Sequence, residues 1–131
     1  MEKKKLVLHY LEGTVGAALS DIFPDGTESL TVQTLEGREF CVELNELKAA
    51  FFVRTFTGNP DYQRSAETGR RVPSGKSRFV RVTFLDGEVL VGEVNRDSDL
   101  GKGFYLEVLD PNDNNILVYV NPRALRRPPE E

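Results

Sequence analysis

The sequence predicts a mainly β fold assembled from two copies of one small barrel-like unit, and two observations carry that expectation. The first is an internal match. KLVLHYLEGTVGAAL at Lys5–Leu19 lies over FVRVTFLDGEVLVGE at Phe79–Glu93, with Gly13 over Gly87, an offset of 74 residues. The same offset sets Leu30, Val32 and Thr34 over Phe104, Leu106 and Val108, so the register survives a loop of variable sequence, as expected of a duplicated unit. The second is the period: Leu6, Leu8 and Tyr10, and likewise Val80, Val82 and Phe84, alternate with other residues and then reach Glu12-Gly13 or Asp86-Gly87. Apolar alternation ending in an acidic-Gly turn is the signature of a β-hairpin.

Each element follows in order. The first strand of each copy carries Val7, His9 and Leu11, or Arg81, Thr83 and Leu85, on its other face, a mixed set that predicts half exposure. A third strand is expected in SLTVQTL and in FYLEVLD, a fourth in EFCVEL and in ILVYV, with turns at Glu36-Gly37 and in DPNDNN between them. A short polar turn follows, at Asn45-Glu46 or Asn121-Pro122. The first copy then continues into LKAAFFVRTF. Ala, Leu and Lys at its start favour helix, but its β-formers predict a strand buried on both faces, with Phe52 on one side and Phe51 and Val53 on the other.

The expected organisation is a first small barrel over 3–56, a basic polar connector over 57–77 and a second small barrel over 78–127. The connector is rich in Gly, Ser and Pro and has no apolar period. Each copy is near the lower size limit for independent folding, so the two are expected to share an interface.

Composition narrows the function. The chain of 131 residues is 39% apolar and 29% charged, a globular profile. Its 17 Lys and Arg against 21 Asp and Glu give a net charge of −4, which supplies no general attraction for a phosphate backbone. One cysteine and one histidine make neither a disulfide framework nor a Cys/His metal cluster. The N-terminal MEKKKLVLHYLEG is too interrupted for a signal peptide, no apolar run is long enough to span a bilayer, and a cytoplasmic location is expected. No cofactor is expected, and the absence of a Gly-rich phosphate loop, paired His ligands and a nucleophile-base set argues against an enzyme.

The unit of five short strands with its Gly hairpin resembles the small SH3-like or Sm-like barrel. The segments KAAFFVRTFTGNPDY (48–62) and VTFLDGEVLVG (82–92) are moreover similar to the KAxFFVxxFxGNPxY and VTFxDGEVLxG patterns of an uncharacterised bacterial domain family. That resemblance spans nearly the whole chain and implies a fold without an activity. The first copy departs from it in having Ala18 where the second has Gly92.

Four kinds of site can be weighed. The Sm-like comparison implies nucleic-acid binding, but SDIFPDGTESL and NRDSDLGKGF lack the Asn and the Arg-Gly pair that such sites carry. A PilZ-like barrel, responsive to a cyclic dinucleotide, would need an acid or amide where Arg96 stands before Ser98 and Gly101, and differently spaced arginines from Arg70-Arg71 or Arg123 with Arg126. DPNDNN opens like a calcium loop but has Asn115 and Asn121 where an EF-hand requires Gly and Glu. His9 is expected at the surface and Cys41 as a small buried thiol in its strand.

The remaining signal is the connector. Arg64, Arg70, Arg71, Lys76 and nearby Arg78 face only Asp61 and Glu67, a basic stretch suited to an acidic partner. The expectation is therefore a non-catalytic interaction domain that binds a protein through a strand edge or this connector. Arg64, Arg70, Arg71 and Lys76 supply charge, and Phe56 and Tyr62 flank them, with Phe51, Phe52 and Phe56 as candidates for a partly exposed anchor if they are not all core. A homodimer through strand edges is the other mode of assembly.

Overall fold

The computed structural model describes residues 3–24, 26–57, 77–108, 110 and 112–131. Nine strands follow in chain order: β1 (Lys4–Tyr10), β2 (Val15–Ser20), β3 (Ser29–Gln33), β4 (Glu39–Glu43), β5 (Leu47–Val53), β6 (Ser77–Thr83), β7 (Val89–Asn95), β8 (Phe104–Glu107) and β9 (Asn115–Val120). Short 3₁₀ turns at Leu44–Glu46 and Pro122–Ala124 precede β5 and the C-terminal segment. No α-helix occurs among the described residues, so the mainly β expectation is met.

The strands form one open antiparallel sheet in the order β4-β3-β2-β1-β5-β9-β8-β7-β6. Each sequence hairpin sits where its glycine lies. Gly13 (φ +110°) and Gly87 (φ +94°) occupy left-handed positions that other residues adopt only with strain, and Tyr10 N–H to the Thr14 carbonyl and Phe84 N–H to the Glu88 carbonyl, both 2.8 Å, close the two turns. Gly92 has a different role. A Cβ there would run into the Glu107 carbonyl of the neighbouring strand, whereas Ala18 in β2 carries a methyl group and is fully buried.

β5 organises the molecule. It pairs with β1 on one edge and β9 on the other, from Leu6↔Phe52 to Tyr10↔Leu47 and from Ala49↔Val120 to Val53↔Asn115. Because side chains alternate along a strand, its two faces enter different cores. Ala49, Phe51 and Val53 pack with Val80, Val82, Phe84, Leu90, Phe104 and Leu106. Leu47, Ala50 and Phe52 pack with Leu6, Leu8, Phe23, Val32 and Val42. Both phenylalanines are 2% exposed, and burying each removes about 2–3 kcal/mol worth of apolar surface from water. A helix would have put these residues around a cylinder and could not serve two opposed cores.

The C-terminal segment closes against β6. Arg81 and Glu130 exchange backbone hydrogen bonds in both directions (2.6 and 2.9 Å), and Phe84 bridges Leu125. Between these contacts lie Pro128 and Pro129, which have no N–H to donate, so this segment cannot form a regular ladder.

Candidate functional site

Of the residues expected to form a partner site, Tyr62, Arg64, Arg70, Arg71 and Lys76 lie outside the described residues. Phe56 is half-buried and packs against the core of β5–β9. Phe51 and Phe52 are not exposed anchors; alternation along a strand flanked on both edges sends each into a core.

Cys41 and His9 also differ from expectation. Cys41 is exposed, because alternation places it with Glu39 and Glu43 on the face of β4 opposite the buried Val42. His9 is half-buried, with its ring 4.6 Å from that of Phe51 in an edge-on contact. Burial, reinforced by the nearby Lys48 ammonium, holds its pKa below the ordinary 6.5. The imidazole is therefore a neutral packing group at neutral pH.

Lys48 is the centre of an ion-pair cluster beside it. Its ammonium bonds Asp86 (2.7 Å) and Glu88 (2.6 Å) and lies 4.6 Å from the centroid of the Phe84 ring. Burial alone would lower the lysine pKa, but hydrogen bonds to Asp86 and Glu88 outweigh it and leave the group raised. A catalytic lysine needs the opposite shift. The cluster is a clamp that ties β5 to the β6–β7 hairpin.

Asn121 is a second tie. Its buried side-chain amide donates to the Leu47 carbonyl (2.8 Å), while its carbonyl oxygen accepts from the Arg123 N–H at the start of the 3₁₀ turn. Tyr105 is a third, for its hydroxyl donates to the Phe23 carbonyl (2.6 Å) and accepts from the Phe23 N–H (3.1 Å). Each joins residues far apart in the chain, so spacing gave no warning of them. Asn121 alone was visible, as half of an Asn-Pro turn.

Among the described residues the feature that remains open is β4. Leu44 N–H bonds the Glu28 carbonyl and Thr34 N–H bonds the Arg38 carbonyl, which fixes the alternation of the β3–β4 ladder. In that phase Phe40 and Val42 bond β3, and the N–H and C=O groups of Glu39, Cys41 and Glu43 point away from the sheet. All three side chains are exposed. At its far end this edge meets a polar cavity of about 350 Å³ lined by Glu28, Glu43, Asn45, Tyr119 and Asn121. The geometry suits an extended segment, and the acids Glu28, Glu39 and Glu43 suit a basic one. No group of His, Cys, Asp or Glu among the described residues could hold a metal ion.

A mainly β sheet whose β4 edge is paired with no described strand is the class of protein that these observations define. The chain belongs to a family of unknown function (DUF6982), whose model matches residues 2–128. No curated protein and no solved structure matches it. Among the described residues no helix is long and apolar enough to cross a membrane.

Proposed function

We propose that the protein is a non-catalytic interaction domain made of two fused SH3-like or Sm-like units, and that its β4 edge takes up an extended basic segment of a protein partner. The observation that carries this reading is the outward row of backbone groups at Glu39, Cys41 and Glu43, since an uncovered edge adds a strand readily. Supporting the two-unit part are contacts that recur at matching positions. Leu11 N–H bonds the Glu46 carbonyl as Leu85 N–H bonds that of Ala124, Leu19↔Gln33 matches Glu93↔Glu107, and Tyr10↔Leu47 matches Phe84↔Leu125. On this reading the strand order is one unit of five, β4-β3-β2-β1-β5, followed by β9-β8-β7-β6 and the C-terminal segment. The pairing of β9 with β5 is then an internal example of what the β4 edge offers to a partner.

The test is capture from the host lysate with tagged full chain at moderate salt, with and without nuclease, using wild type and Cys41→Pro. Proline at an outward N–H blocks an incoming strand without removing a β3–β4 bond. The expected result is a discrete protein that survives nuclease, binds wild type and is lost with Cys41→Pro. Equal capture by both chains contradicts the edge, and material released by nuclease favours a nucleic-acid partner.

A further inference from the structure

A second surface lies at the middle of the sheet, where β1 begins and β5 ends. Lys3, Lys4, Lys5, Ile22, Arg54 and Ile116 surround a groove of about 370 Å³ whose floor is formed by Phe52, Val53 and Leu117. We propose that this groove binds an acidic segment of a protein that inserts aliphatic side chains between Ile22 and Ile116. It is independent of the β4 edge.

Three observations carry the assignment. The first is charge. A chain of net charge −4 gathers four cationic side chains around one depression, and among the described residues Lys3 alone has an acid paired with it, Asp21 at 3.6 Å, in an exposed pair that holds it weakly.

The second is apolar exposure. Ile22 (49%) and Ile116 (40%) are large side chains left in water, although they come from segments nearly a hundred residues apart. They meet at one groove whose volume lies at the low end of ligand-binding pockets, roughly enough for a few side chains. Cations rimming an apolar floor match an acidic amphipathic segment.

The third is that the site is built. The β5–β9 register slips between Phe52 and Val53, and such bulges re-aim the side chains that follow. The Arg54 backbone N–H bonds the Asn114 carbonyl (2.9 Å) and its Nε bonds the Asp113 carbonyl (3.0 Å). Asp113 is itself buried and accepts from the Asn115 N–H (2.9 Å), so the residue that holds Arg54 is itself braced. A guanidinium oriented in advance loses less freedom when it meets a carboxylate. Single-stranded nucleic acid fits less well, because it is held by stacking on exposed rings and Phe52, the one aromatic residue of the groove, is buried.

The experiment uses immobilised full chain and a random 12-residue peptide library displayed on phage, followed by titration of the enriched peptide by fluorescence anisotropy. The inference expects peptides rich in Asp or Glu together with Leu, Ile or Val. Their affinity should fall about tenfold or more with Arg54→Ala, as for loss of a charge-assisted pair, and by a similar factor with Ile116→Ser. Leu85→Ser, at an exposed leucine elsewhere, and Cys41→Pro should leave it unchanged. Higher salt should weaken it. Four results would overturn the inference: no enrichment, enrichment of basic peptides, binding insensitive to both groove variants, or an all-Glu peptide binding as tightly as the enriched one. Capture of oligo-dT or of vesicles containing phosphatidylglycerol, sensitive to Arg54→Ala while no peptide is enriched, would overturn it in favour of a phosphate ligand.

Discussion

β5 and β4 both carry phenylalanine, yet they have opposite situations. β5 is paired on both edges and buried on both faces, while β4 is paired on one edge and buries one face. The difference is written in their composition: LKAAFFV is nearly continuous in apolar residues, and EFCVE alternates Phe40 and Val42 with exposed Glu39, Cys41 and Glu43. The sheet thus has a strand that cannot be touched without loss of both cores and one that can be altered on its outer side almost freely. The other end of the sheet is treated differently again, since Pro128 and Pro129 blunt the segment beside β6.

Placing one residue type in both strands sharpens this contrast most. Ala50→Pro removes a ladder donor from the central strand and should cost about 3 kcal/mol or more, enough to unfold much of the protein, as circular dichroism would reveal. Cutting side chains comes next. Phe51→Ala and Phe52→Ala should each cost about 3–5 kcal/mol in denaturant unfolding. Because β5 serves both cores, each should shift a single transition of the whole molecule. Two separate transitions would break the picture of a shared strand.

A smaller effect is expected at the tie between the halves. Asn121→Ala leaves the Leu47 carbonyl without its side-chain donor and should cost about 1–3 kcal/mol. The pH dependence follows from His9. Its folded pKa lies below the unfolded value, so the unfolded chain binds the proton more readily, and the stabilisation present above the ordinary 6.5 is lost as pH falls through the folded pKa. Melting temperature should accordingly drop between about pH 7.5 and about pH 5, and His9→Gln should drop less. Asp86 adds to acid sensitivity at lower pH, because the hydrogen bond from Lys48 depresses its pKa and the bond is lost on protonation. Least of all, Cys41→Pro should cost about 1 kcal/mol or less, because proline is tolerated on an edge strand whose N–H faces outward. A large loss there would mean that the outward phase of β4 is misassigned.

Much of this architecture was legible in the residues. Gly13 and Gly87 marked their turns because the backbone there needs positive φ, and the alternation of Leu6, Leu8 and Tyr10 marked a strand with one buried face. The run through Phe51 and Phe52 was readable as doubly buried because no solvent face could be drawn on it. The exposure of Cys41 follows from that same alternation, since it shares a face with Glu39 and Glu43, but the expectation weighed residue type, a thiol that is usually buried, above the pattern. Lys48 gave no sign of its clamp, for Asp86 and Glu88 lie on a hairpin brought near by tertiary packing. The lysines at positions 3 to 5, too interrupted a segment for a signal peptide, were given no role in the sequence, and they form one wall of a groove completed by Arg54 and Ile116. The connector that drew attention in the sequence lies, from 58 to 76, outside the described residues, and its last residue, Ser77, begins β6.

Amide hydrogen exchange followed by NMR on the isolated full chain tests the central contrast most directly. The amides of Ala49 to Phe52 should exchange only through global unfolding, those of Phe40 and Val42 should show intermediate protection, and those of Glu39, Cys41 and Glu43 should exchange at close to the rate of an unstructured chain. Strong protection of Cys41 and Glu43 would mean that the edge is already covered, and the account of β4 as the docking strand would fail.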